Sequence, residues 1–208
     1  MMSSIWGDPL EKWFAIIGHR APSSGPLNLN DLAGSGGRMD VLVRAVNAAL
    51  FVSHDIREDS HVLLHLMGGE APPRRIWFNG SDLSGVRPDE RSIAGQIKAV
   101  MKRAVPPNDR FEEYTCGILH SGGGLDQTLK EWSSRGVFPV ILDAGGSNFS
   151  EIPTSTDVGF VLSDDKPFTE HDRSSLREAV PLSLGDRWLQ GHSCIAVVHH
   201  LLDAARTS

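Results

Sequence analysis

The sequence predicts an α/β fold built on a mostly parallel sheet. Short apolar runs alternate with amphipathic stretches along the whole chain. The apolar runs are 3–7 residues long and bounded by Gly, Pro or Asn. Connections between them are long enough to hold a helix, as parallel pairing requires.

The elements follow in order. Trp13–Ile17 is a short apolar strand. Ser23–Gly37, rich in Gly, Ser and Asn, reads as a long loop of the kind that tends to carry function. Asp40–His54 has apolar residues at helical spacing, interrupted by Arg44 and Asn47. His61–Met67 and Ile76–Phe78 read as strands, the second bounded by Pro72–Pro73 and Asn79–Gly80. Pro88–Asp89–Glu90 opens a helix that runs to about Arg103, with acids in its first turn and bases in its last. Pro106–Arg110 breaks the chain and marks a candidate lobe boundary. Tyr114–Leu119 is predicted as one strand, Ser121–Gly124 as a glycine turn, and Leu125–Ser134 as a helix. Val137–Leu142 is a buried strand, Gly159–Leu162 another, and Pro181–Leu184 a short third. Thr169–Ala179 is a helix with a Thr cap, and Cys194–Ala205 closes the chain as an apolar helix.

Composition bounds the function. The chain has 208 residues, 40% hydrophobic and 22% charged, which suits one soluble domain with its own core. Cys116 and Cys194 are too few for a disulfide framework, and no CxxC occurs, which fits a reducing cytoplasm. The opening MMSSIWGDPLEKWF lacks the basic and apolar regions of a signal peptide, and no run is long enough to span a membrane. The net charge of −6 is unevenly spread. Residues 1–110 hold 13 Lys+Arg against 12 Asp+Glu, and residues 111–208 hold 7 against 14. An RNA partner would therefore meet the first half, through Arg38, Arg44, Arg57, Arg74, Arg75, Arg87, Arg91, Lys98, Lys102, Arg103 or Arg110. The same residues could equally be solvated faces.

Several chemistries find no motif. There is no GxGxxG after a strand, no GxxxxGK[ST] and no HExxH. The pair His199–His200, with His171 and His192, could suggest a metal, but adjacent helical histidines point about 100° apart, so no metal is expected. Three loops instead share one feature. Asp143–Gly146, Ser163–Asp164 and Leu184–Gly185 each follow an apolar strand and carry Gly or a small residue. Ligands of α/β sheets bind outside the carboxyl ends of strands, and small residues let backbone approach a flat ring. Plain turns would look the same.

The stretch GHRAPSSGPLNLNDLAGSGGRMDVLVRAVNAALFVSHDIREDS, from Gly18 to Ser60, resembles the signature of the archaeal tRNA pseudouridine-54 N1-methyltransferases. So do Pro88–Ser92 (PDERS), Ser183–Gly185 and the helix from Cys194. The resemblance is dense over residues 18–104 and thinner over 111–192. It places the chain in the SPOUT superfamily and implies a C-terminal deep trefoil knot, which spacing alone would not suggest. It implies S-adenosyl-L-methionine (SAM) as methyl donor, tRNA as substrate, a homodimer, and no metal or membrane. By position, the cofactor contacts would be Leu142, Ser163, Leu184, Gly185, Asp186, Arg187, Trp188, Leu189 and Cys194. The half before about residue 110 would face RNA and the half from 111 would hold SAM, within one domain.

For catalysis, the resemblance points first to Asp40 as base or ring anchor and Arg38 as stabiliser of ring charge, then to Asp89 and Arg91. Asp40 could instead cap its helix, and Arg91 could form an ion pair with Glu90 or Asp89. Cys194 reads as a wall residue rather than a nucleophile. The apolar residues Ile195, Val198, Leu201 and Leu202 offer a dimer face or an intrachain core. The chain departs from the family at Ser163–Asp164–Asp165 and Asp186–Arg187–Trp188. Those departures leave open another SPOUT activity, on rRNA pseudouridine or a ribose 2′-hydroxyl, or a non-catalytic RNA- or nucleotide-binding relative.

Overall fold

The computed structural model describes residues 10–205. Most of the opening segment read for a signal peptide lies outside these residues. Eight strands form one sheet: β1 (Lys12–Pro22), β2 (Ser60–Gly68), β3 (Arg74–Asn79), β4 (Glu112–Thr115), β5 (Ile118–Gly122), β6 (Phe138–Asn148), β7 (Val158–Ser163) and β8 (Val180–Ser183). Five α-helices accompany them: α1 (Met39–Leu50), α2 (Glu90–Met101), α3 (Leu125–Arg135), α4 (Glu170–Ser175) and α5 (Gly191–Ala205). The strand order is β4-β5-β3-β2-β1-β7-β6-β8. From β2 to β8 every neighbouring pair is parallel. The β2–β3, β3–β5 and β4–β5 pairs are antiparallel.

Burial on both faces explains the apolar strands. In β1, Phe14 and Ile16 join one core cluster with α1, α2 and α5, while Trp13, Ala15 and Ile17 join a second with α3. β7 repeats this alternation, with Phe160 and Leu162 on the first face and Val161 on the second. A strand covered on both sides needs apolar residues at every position, which is why these runs lack a polar alternation.

Four boundaries differ from the sequence reading. The predicted strand Tyr114–Leu119 is a hairpin, because Gly117 turns the chain at φ 73° between β4 and β5. α1 stops at Leu50 rather than His54, where Phe51 becomes extended and bridges Ile56. The loop Asp143–Gly146 is a bulge inside a longer strand: Leu182 of β8 stands opposite both Leu142 and Ser147 of β6. α4 holds only Glu170–Ser175 and tightens into a 3₁₀ turn at Leu176–Glu178. Its Thr169 cap is as read, with Thr169 and Asp172 bonding each other's backbone N–H.

α5 packs across α1. His199 is buried, its Nε2 lies 3.0 Å from the Ala49 carbonyl, and burial pushes its pKa down to about 4. Ile195 and Val198 are buried in the chain's own core and Leu202 packs against it, which leaves Leu201 as the exposed member of the proposed dimer face. No helix among the described residues is long and apolar enough to cross a membrane. No group of three or more His, Cys, Asp or Glu side chains there could hold a metal.

Candidate active site

Parallel pairing brings the carboxyl ends of β1, β7, β6 and β8 to one edge of the sheet. At the end of β1, the His19 backbone N–H donates to Asp164 Oδ2 at 2.8 Å. The His19 ring lies between two carboxylates, with Nδ1 at 3.0 Å from Asp164 and Nε2 at 3.1 Å from Asp172. Burial works against charge on this ring, but the bonds to Asp164 and Asp172 outweigh it and raise the pKa. Burial likewise opposes ionisation of Asp172, and its bonds to Thr169 and His19 overcome that, so its pKa is lowered.

Next along β1, Arg20 donates to Asp165 at 2.5 Å. Gly37 makes the local packing possible. It sits at φ 63°, and a Cβ there would come within 2.1 Å of the Arg20 carbonyl oxygen, so the glycine-rich loop closes directly on the end of β1. Arg38 follows in the left-handed region, at φ 68°, the lone non-glycine residue with positive φ among the described residues. Such backbone costs energy and concentrates at functional positions.

Arg38 uses three donors. Nε and Nη2 bond the two oxygens of Asp40 at 3.0 and 3.3 Å, and Nη1 bonds Asp165 at 3.1 Å. The bonds to Asp40 hold its pKa above the usual arginine value. Asp40 is 5% exposed and also receives Arg44, which in turn reaches Glu90 at 3.2 Å. Asp40 therefore sits in the first turn of α1 as the acceptor for two guanidiniums, and the helix cap position belongs to Arg38. Asp165 ties this cluster to the β7 loop, two residues past Ser163.

Asp89 and Arg91 are less central. Asp89 caps α2, accepting from the Ser92 N–H at 2.7 Å. Arg91 pairs with neither acid beside it, since Glu90 is held by Arg44 and Arg91 donates to Asn30 at 3.0 Å. Two expected RNA contacts are corrected outright. Arg74 and Arg75 are both 0% exposed. Arg74 donates to the Val100 and Arg103 carbonyls, and Arg75 forks onto Glu131 at 2.7 and 3.0 Å. Neither can reach a phosphate.

The expected cofactor residues lie on the same edge of the sheet. Leu142, Leu184 and Cys194 are half-buried and pack against the core. Gly185 adopts φ 111° and donates its N–H to Ser183 Oγ at 3.1 Å. Asp186, Arg187 and Trp188 are exposed and make no hydrogen bond or ion pair within the described residues. Trp188 is 97% exposed.

The family profile for SAM-dependent RNA methyltransferases matches residues 12–207. The chain belongs to this family. A relative from Methanospirillum hungatei, named tRNA (pseudouridine(54)-N(1))-methyltransferase, is 35% identical over 93% of this chain and 97% of its own length. One of the same name from Methanosarcina mazei is 39% identical over 91% and 90%. The crystal structure of Archaeoglobus fulgidus Nep1 bound to S-adenosylhomocysteine superposes with a TM-score of 0.65. It covers 96% of this chain and 100% of that one at 15% identity, a likeness that establishes the fold.

SAM, the methyl donor of this family, suits the loops at the sheet edge. Leu142, Leu184 and Cys194 give an apolar wall, and the backbone groups of Asp186–Trp188 have no partner within the described chain. Burial raises the Cys194 thiol's pKa, which keeps it protonated and suits a wall residue rather than a nucleophile.

The cluster at this edge also contains residues that the sequence reading did not single out for catalysis: His19, Arg20, Arg44, Asp165 and Asp172. Two signals could have found three of them, His19, Arg20 and Asp165. GHR stands at the carboxyl end of the first apolar strand, and SDD at that of β7, where α/β sites assemble.

Proposed function

We propose that this chain methylates N1 of pseudouridine in tRNA, at the T-loop position 54, using SAM. The observation that carries this reading is identity of 35–39% to methyltransferases of that name across more than nine-tenths of the chain. The reading includes the C-terminal trefoil knot, a homodimer and a single domain. Its halves divide at about residue 110 into an RNA-facing and a SAM-binding part. The knot is what the family resemblance of the C-terminal segment, Ser183–Gly185 and the helix from Cys194, implies. The homodimer is what the family resemblance implies, with Leu201 the exposed apolar residue of α5 that a second protomer would cover. Free Cys116 and Cys194 suit a cytoplasmic setting.

In this reading Leu142, Ser163, Leu184–Leu189 and Cys194 hold SAM, which supplies an electrophilic methyl group on its sulfonium. N1 of pseudouridine carries a proton and becomes a good nucleophile as that proton passes to solvent water. Arg38 is the group that stabilises the resulting negative ring. Three of its five N–H donors are used within the protein, and the remainder can meet the uracil edge. Asp40 acts through Arg38. Both its oxygens already accept guanidinium bonds, which suits orientation better than proton abstraction. Asp165 fixes the free end of Arg38 and so sets the ring site relative to the SAM loops.

Calorimetric titration with SAM, followed by methyl transfer to tRNA with and without pseudouridine, tests the reading. EDTA is present throughout, and mass spectrometry locates the methyl group. Transfer that requires pseudouridine 54 and tolerates EDTA is expected. Methylation of a ribose or of rRNA alone would replace it, and loss of activity in EDTA would end the metal-free mechanism.

A further inference from the structure

Eight of the nineteen Lys and Arg side chains among the described residues pair with a carboxylate. Lys12 pairs with Asp59, Arg44 with Asp40, Arg57 with Asp203 and Arg75 with Glu131. α2, with its C-cap residue Lys102, carries three that do not. Its Arg91, Lys98 and Lys102 form no ion pair among the described residues. At 3.6 residues per turn, positions 91, 95, 98 and 102 fall within an arc of about 60°, and 91 to 102 spans about 16 Å. The three cations thus form one stripe. Gly95 lies in its middle, where even a Cβ would meet nothing within 4 Å.

The stripe borders a groove. Gly25 and Pro26 of the glycine-rich loop form one wall, and Lys98, Met101 and Lys102 form the other, around about 440 Å³. Arg91 reaches across the same boundary to Asn30. The N-terminal end of the stripe neighbours the candidate active site: Glu90, beside Arg91, holds Arg44, which holds Asp40.

We propose that the α2 groove carries the phosphate backbone of the substrate RNA next to the target nucleotide, with Lys98 and Lys102 neutralising phosphates and Arg91 marking its entry. This rests on the reading of the chain as a tRNA methyltransferase. Two features select a nucleic-acid backbone over an acidic peptide. The cations are strung along one line, as successive phosphates are, and Lys98 and Lys102 line an open groove rather than a side-chain pocket. On a chain of net charge −6, such a stripe is also where a polyanion gains most.

The test compares the full-length protein with Lys98→Glu/Lys102→Glu, its neutral counterpart Lys98→Gln/Lys102→Gln, and Lys130→Glu on exposed α3. Fluorescence anisotropy measures tRNA affinity against salt, and calorimetry measures SAM affinity. For each phosphate no longer neutralised, the log–log salt slope should flatten by about 0.7–0.9. Affinity should fall at least roughly tenfold at physiological salt in the charge reversal, and less in the neutral variant. SAM affinity and the methylated atom should not change, and Lys130→Glu should behave as the parent. If both double variants keep the parent's slope and affinity while the parent methylates tRNA, the groove assignment is overturned and the methyltransferase reading stands. If the parent methylates no tRNA yet the variants still flatten the slope, the groove stands and the substrate reading fails. A parent without salt-dependent RNA binding overturns the groove as well.

Discussion

Asp164 holds His19 twice, through the backbone N–H at 2.8 Å and the ring Nδ1 at 3.0 Å. Asp172 completes the clamp at Nε2, so one histidine joins the end of β1 to the β7 loop and to α4. The clamp sets a pH window. Folding raises the His19 pKa, so its contribution is full below the unfolded value of about 6.5 and is lost as pH rises through the folded value. Folding lowers the Asp172 pKa, so that contribution is present above its unfolded value of about 3.9 and lost as pH falls through the folded one. We expect His19→Gln to be less stable than the parent by about 1.5–3 kcal/mol near pH 6, as for hydrogen bonds to charged groups. The gap should shrink above the folded pKa. An NMR titration of His19 that gave a pKa below the unfolded value would sink the clamp.

Legibility in the sequence followed burial. Doubly covered strands such as β1 and β7 announce themselves by continuous apolar runs, and α1 and α2 by helical spacing. The hairpin at Gly117 stayed hidden because both of its strands are short and β4 forms the sheet's edge, where alternation is weak. The bulge at Asp143–Gly146 looked like a loop because its glycines carry turn chemistry whether or not the strand resumes. Arg38 and Asp40 were legible through the family signature. Asp165 was not: it departs from the family pattern, and its partners Arg20 and Arg38 lie 145 and 127 residues away in sequence. Arg74 and Arg75 misled for the opposite reason, since local charge says nothing about whether a fold buries a guanidinium in carbonyls.

Arg75→Ala should therefore act on the fold. The change leaves Glu131 unpaired and removes a guanidinium that lies 4.6 Å from the centre of the Phe111 ring. Breaking a buried pair from one side costs about 3–5 kcal/mol. Urea unfolding should show that loss, while tRNA affinity per folded molecule stays near the parent's. Parental stability with weakened tRNA binding would return Arg75 to the interface.

Gly185→Val probes the proposed SAM loop through its backbone. A side chain there meets nothing within 4 Å of its Cβ, so the surrounding packing is undisturbed. The φ of 111° is what valine cannot hold. Forcing it costs on the order of 1–3 kcal/mol, which the exposed loop relieves by shifting. Melting temperature should change little and SAM affinity should fall. Normal SAM affinity in this variant would remove Leu184–Leu189 from the cofactor site.

Arg38 and Asp40 separate chemistry from stability. Arg38→Ala removes the donors facing the ring site, and losing one preorganised electrostatic stabiliser costs about 10²–10³ in rate. Asp40→Asn keeps the side chain's shape but offers a neutral, partly donating group to Arg38 and Arg44, so Arg38 loses its fixed orientation. Both variants should bind SAM nearly as the parent does, because the SAM loops lie on other elements. Single-turnover methylation should drop strongly in both. Asp40 is buried, so Asp40→Asn also unfolds more readily, and rate must be read per folded molecule beside melting temperature. A role confined to orienting Arg38 predicts that Arg38→Ala/Asp40→Asn is no slower than Arg38→Ala alone, since removing the oriented group leaves nothing for Asp40 to orient. A base acting independently predicts a further loss in the double variant. If Arg38→Ala instead turned over at the parent's rate per folded molecule, the cluster would be structural, and the group that stabilises the uracil ring would have to be sought elsewhere along the same sheet edge.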